Sequence, residues 1–202
     1  MKKLYIIAIT VFFFLSYNTN AQEVTAKLDE AKSAYSSNDL EGARFALKQA
    51  LLELDQVLGK EILMMLPTEM EGLPVIEEED NVTGNAMGFT GMYVNRSYRQ
   101  ENQSVNVELI DDSPLIGSIN TLLSMPTFMG AGDPNQKRIK IHGYKALMNK
   151  SMDDSTSVFS YEIQIPFNKS MLTFKSTGFN DENTVMRLAE TLPLEAIIRM
   201  TK

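Results

Sequence analysis

The chain has 202 residues, no cysteine, no tryptophan, one histidine and a formal net charge of −7, from 19 basic and 26 acidic side chains. That length suits one domain with a small appendage and is enough to bury a core. The acidic balance argues against nucleic acid or anionic lipid as the main partner, and the lack of cysteine removes thiol catalysis, cysteine-type zinc sites and iron–sulfur clusters.

Residues 1–21 have the layout of a bacterial export signal. Lys2 and Lys3 give the positive end, Leu4 to Leu15 is apolar apart from Thr10, and Thr19-Asn20-Ala21 supplies small or polar residues before Gln22. Cleavage is expected between Ala21 and Gln22. The apolar run is too short for a spanning helix of about 20 residues, so a retained anchor is the lesser alternative. No cysteine follows the signal, which rules out lipoprotein processing. The expected product is periplasmic or secreted, without stable membrane insertion. The two lysines lost with the signal would take the net charge from −7 to −9.

Residues 22–66 are expected to form a helical hairpin. Val24, Leu28, Ala31, Ala34 and Tyr35 fall at helical spacing, and Ser36 to Asp39 breaks the run. Asp39 is placed to cap a second helix. Ala43, Leu47, Ala50, Leu51, Leu54, Leu58 and Ile62 then make one long apolar stripe that Pro67 ends. Small Ala31, Ala43 and Ala50, with Tyr35 and Leu47, resemble a single tetratricopeptide-type hairpin, which implies a partner-binding groove. Repeat arrays need several stacked units, so the expectation is an ordinary antiparallel hairpin docked on the sheet domain, with the groove as the alternative.

Residues 67–90 are expected to be a linker, carrying the solvated acidic run Glu77-Glu78-Glu79-Asp80. That run lacks the spaced acidic and glycine pattern of a calcium loop.

Residues 91–202 are expected to be a sheet domain. Gly91–Arg99 and Ser104–Ile110 form a hairpin, the second strand alternating Val105, Val107 and Leu109 with Asn106, Glu108 and Ile110. Asp112 or Ser113 should cap a helix with Pro114 in its first turn and Leu115, Ile119, Leu122 and Leu123 buried, ending at Pro126. Strands are expected next at 137–142 and 144–149, with a tight turn at His142-Gly143, then at 158–165 and 171–176. Asn180 or Asp181 should cap a helix through Met186, Leu188 and Ala189, and Leu194, Ile197 and Ile198 close the chain. The fold class is therefore α+β: a mainly antiparallel sheet with flanking helices, preceded by an N-terminal α-helical hairpin.

No residue is assigned a catalytic, cofactor or metal role. Asp111 and Asp112 are adjacent at a strand end, where neighbouring side chains diverge, and capping or solvent accounts for them. His142 sits in a turn without a nucleophile motif. Met125 and Met129, and Met148 and Met152, are four apart, a weak pattern for copper(I). Gly84, Gly88 and Gly91 are too loosely spaced for a phosphate loop.

Several stretches together resemble a group of exported bacterial proteins with no established function. They are Leu66-Pro67 with Gly72, Asn95-Arg96-Ser97-Tyr98 before Ser104-Val105-Asn106-Val107, and Asp112-Ser113-Pro114-Leu115. Ile141-His142-Gly143-Tyr144-Lys145-Ala146 and Tyr161-Glu162-Ile163-Gln164-Ile165 complete the set. The element order is also similar to the PsbP/Mog1-like fold. The resemblance implies an envelope protein with an antiparallel sheet and carries no catalytic residue. The expected function is a non-enzymatic binding module for an envelope protein or small ligand, with no cofactor. The alternatives are a hydrolase using carboxylate or hydroxyl chemistry, with Asp111, Asp112 and Glu162 as its acids, and a protein handling copper or calcium.

Overall fold

A computed structural model describes residues 19–86, 89–125 and 134–202. Residues 1–18 of the expected export signal at 1–21 lie outside the described residues, as does Met129. Among the described residues there are five α-helices, a seven-stranded antiparallel sheet and a two-stranded ribbon, an α+β fold with two helices ahead of the sheet. By its contacts the chain divides into a unit ending at Val57 and a second running from Leu58 to Lys202.

The first unit holds α1 (Thr19–Ser36), in which Ala21 and Gln22 lie, and the start of α2 (Leu40–Met65). A three-residue link reverses the chain. Asn38 takes φ +61°, and the Asp39 N–H reaches back to the Ala34 carbonyl at 2.9 Å, satisfying carbonyls at the end of α1. Asp39 Oδ1 accepts the Gly42 N–H at 2.9 Å, which supplies a partner for one free donor at the start of α2.

The second unit begins inside α2. Ile62 and Leu66 are buried there, with Leu58 and Leu63 packed beside them, so the expected hairpin boundary at residue 66 falls nine residues beyond the division at Val57. A Cβ at Gly59 would sit 2.5 Å from a Val82 methyl carbon and 3.3 Å from Met92 and Val94, which shows how closely the helix backbone approaches the sheet.

The segment expected as linker is structured over its described part. β1 (Glu69–Met70) and β2 (Leu73–Pro74) form the ribbon, Glu77–Glu79 makes a 3₁₀ turn, and β3 (Asn81–Ala86) is an edge strand of the main sheet. The reason is a buried ion pair rather than periodicity. Arg96 donates from Nε to Asp80 Oδ1 at 3.0 Å and from Nη2 to Oδ2 at 2.6 Å, and its Nη1 donates to the Leu66 carbonyl at 3.2 Å. Tyr98 Oη donates to the Pro67 carbonyl at 2.8 Å. Met70 and Leu73 are buried beneath.

The remaining elements are β4 (Phe89–Gln100), β5 (Gln103–Ile110), α3 (Ile116–Ser124), β6 (Gln136–Ile141), β7 (Tyr144–Met152), β8 (Phe159–Phe167), β9 (Ser170–Thr177), α4 (Glu182–Glu190) and α5 (Leu194–Met200). Strand order is β3-β4-β5-β9-β8-β7-β6. Val94, Leu109, Leu172 and Ile165 oppose one another across four strands, and Val107, Phe174, Ile163 and Met148 do so one row further on. These rows form the core with Val185, Leu188 and Ala189 of α4 and Ile197 and Ile198 of α5. Gly91 has φ +144°, and a Cβ there would lie 2.4 Å from the Asp111 carbonyl oxygen, so glycine alone fits. The expected His142-Gly143 turn joins β6 to β7 with both residues at positive φ.

Replacing Arg96 with Ala strands a mostly buried carboxylate and removes the donor that serves the Leu66 carbonyl. Urea unfolding should show a loss of about 3 kcal/mol, against less than about 0.5 kcal/mol for the exposed Arg99→Ala.

Candidate functional site

The expected chemistry-bearing residues do not converge. Asp111 accepts a hydrogen bond from Ser170 Oγ at 2.7 Å, and Asp112 lies 3.7 Å from Lys169 Nζ in an exposed pair. The two aspartates line a shallow surface depression of about 490 Å³ with Asn168, Lys169, Thr201 and Lys202. Glu162 is elsewhere. It opposes Lys175 on the β8–β9 ladder, while Ile110, next to Asp111, opposes Met171. Four residues of strand separate those positions, about 13 Å. Glu162 also accepts from Gln164 Nε2 at 2.7 Å.

Neither Asp112 nor Ser113 caps α3. The helix starts at Ile116 with Leu115 as its flanking residue and no side-chain cap. Asp112 takes φ +48°, and Ser113 Oγ instead accepts the Leu115 N–H at 3.4 Å within the turn. Ser113 is tied to the sheet by its own N–H, which donates to the Lys169 carbonyl at 3.0 Å. That bond holds it one turn short of the helix. Asp181 does flank α4 directly and accepts from the N–H groups of Asn183 and Thr184 at 3.2 and 3.1 Å. The Thr184 hydroxyl, with those backbone bonds, holds the Asp181 carboxyl below the usual carboxylate range.

His142 is exposed in its turn, with Nε2 2.8 Å from the Glu190 carbonyl oxygen. Met148 is buried in the core, and Met152, four residues along the same face of β7, is half exposed. A strand places them about 13 Å apart, too far for one soft ion. Two residues of the acidic run are engaged by arginines: Asp80 by Arg96 and Glu79 by Arg99, the latter at 3.1 Å. Among the described residues no group of three or more histidine, aspartate or glutamate side chains is arranged to hold a metal ion.

The second face of the sheet is polar and half buried. Ser97, Asn106, Lys175, Glu162, Asn149 and Gln136 form one row across it. Its members bond to one another: Asn106 Nδ2 donates to Asn95 Oδ1 at 2.7 Å and Ser97 Oγ at 3.2 Å, and Gln136 Nε2 to Asn149 Oδ1 at 2.9 Å. Ile119 and Leu123 of α3 cover one end of this face over Leu147 and Met171. Side chains that satisfy each other in this way have little capacity left for a ligand.

In the second unit the Tyr161 and Ser176 hydroxyls are buried without a hydrogen-bond partner among the described residues, while the first unit carries exposed apolar side chains. Among the described residues of that first unit the buried ones are Ala31, Ala43, Ala46 and Ala50. Leu40, ahead of the expected stripe, is exposed at 60% of its free area, and so are three leucines of the stripe: Leu47 at 49%, Leu51 at 59% and Leu54 at 42%. Their spacing of seven, four and three residues sets them on one face of α2. Leu28 and Tyr35 on α1 are exposed too. Alanines and leucines expected in one stripe are separated by the helix into two adjacent faces, of which the small one is buried.

Among the described residues no helix is long and apolar enough to cross a membrane. Set against known protein families, curated proteins and solved structures, the chain matches none, so no residue role is carried over from a relative.

Two phenols are strongly perturbed. Burial, reinforced by Glu108, pushes Tyr93 up to about 12, and burial pushes Tyr98 up against the pull of Arg96. Folding therefore holds both protonated past the unfolded value of about 10. Their contribution is complete below about pH 10 and is lost as pH rises from there through 12. Absorbance titration at 295 nm should show two tyrosines fewer ionised at pH 11 in the folded chain than in urea, and Tyr93→Phe should reduce that difference by one.

Proposed function

We propose that the protein is an exported, non-enzymatic interaction module that docks a protein partner through the leucine face of α2. The observation that carries this is the exposure of Leu40, Leu47, Leu51 and Leu54 together on one helix face. Single exposed leucines are ordinary, but an aligned set with water on it is a standing unfavourable term that a partner removes. The hydrolase alternative lacks a meeting point for its acids, since Asp111 and Asp112 are separated from Glu162 along the sheet. Of the copper candidates, Met148 is buried in the core and Met152 lies about 13 Å along β7 from it; of the calcium candidates, Asp80 and Glu79 are held by arginines. The envelope location rests on the charge pattern of residues 1–21.

A photo-crosslinking side chain at position 47, introduced in the producing cell, tests the docking face. One adduct of defined mass is expected there and none from Ser155, an exposed turn position. Leu51→Glu in the same chain should abolish it. Equal labelling at the two positions, or an adduct indifferent to Leu51→Glu, would refute docking at this face.

A further inference from the structure

We infer that the partner on this face is a second copy of the same chain, packed antiparallel, α2 against α2; this rests on the docking role proposed above and names its occupant. The stripe keeps the alternating three- and four-residue spacing of a two-helix seam: Leu40, Arg44, Leu47, Leu51, Leu54. An isologous contact needs a surface that complements itself, and the charges decide whether and how this one does. Arg44 occupies a seam position and is exposed. In a parallel pair the two Arg44 guanidiniums share one layer and repel. In an antiparallel pair with its two-fold axis between residues 52 and 53, they lie about 25 Å apart along the helix.

The same axis sets Leu51 on the second copy's Leu54, and Leu54 on its Leu51, so both central layers are apolar. It also sets Arg44 of each copy level with Glu61 of the other, on both sides of the axis. Unlike charges beside an apolar seam are what fixes orientation in such pairs. The alanine face of α2 is already buried, while the leucine face is exposed. A foreign helix could also cover leucines, but it would have no reason to match the spacing of Arg44, Leu51, Leu54 and Glu61 about one two-fold axis.

Sedimentation equilibrium of the full chain at tens of micromolar tests this. A dimer is expected. Leu51→Glu, checked by circular dichroism for unchanged helix content, should raise its dissociation constant at least about a hundredfold, because each dimer loses two apolar layers. Arg44→Glu should weaken the dimer, and adding Glu61→Arg in the same chain should recover it. The chain has no cysteine of its own, so introduced ones report orientation without background. Leu51→Cys with Leu54→Cys should give interchain disulfides, and Arg44→Cys should give none. A monomer, a dimer indifferent to Leu51→Glu, or disulfides through Arg44→Cys would each overturn the proposal. A monomer whose position 47 still crosslinks to another protein would leave docking standing and refute only the second copy. A monomer with no adduct would remove both.

Discussion

The guanidinium of Arg96 holds the sheet unit to its entry segment. It gives two hydrogen bonds to Asp80 and one to the carbonyl of Leu66, while Tyr98 ties the next carbonyl, that of Pro67. Leu66 comes just after the last turn of α2, and Asp80 precedes the edge strand β3. One side chain in β4 therefore fixes where the helix ends and where the seventh strand begins. A buried ion pair is weak evidence for net stability, because desolvation offsets most of its attraction. Its role here is specificity: a short ribbon and an acidic turn with little apolar content are held in one place.

That constraint sets the division of labour across the sheet. One face is consumed by the core, where the end of α2, α4 and α5 pack. The other face is hydroxyl, amide and charged, and those groups are largely engaged with each other. A catalytic site needs groups whose environments push their protonation apart within reach of one substrate. The strongest perturbations here are phenols held neutral by burial, and the exposed aspartates Asp153 and Asp181 are lowered by local turn and cap bonds. All four are consequences of folding.

Much of the sheet was legible in the sequence because period-two alternation is a direct record of burial. Val105, Val107 and Leu109 are buried and their neighbours half exposed, as their spacing requires. The His142-Gly143 turn was legible for a comparable reason, since few dipeptides tolerate two positive φ angles. The 67–86 segment was not. Strands of two residues have no period, and the bond from Arg96 to Asp80 spans 16 residues that composition cannot pair. The start of α3 was misplaced because Asp112-Ser113-Pro114 carries every cap signal, yet the Ser113 backbone is committed to Lys169. The stripe of α2 was read as one face because apolar spacing does not say which of two adjacent apolar faces the fold will bury.

Exposed leucines on a helix that buries its alanines are the part of this structure the fold leaves unfinished. If a second molecule completes it, the protection of those side chains must depend on concentration, while an apolar side chain elsewhere on the helix must not change. Phe45, five residues past Leu40 and exposed on another face, is the internal reference. Hydroxyl-radical footprinting across a dilution series measures this directly. The account predicts that oxidation of Leu47, Leu51 and Leu54 rises several-fold on dilution while Phe45 stays constant. Equal oxidation of all four at every concentration would contradict it.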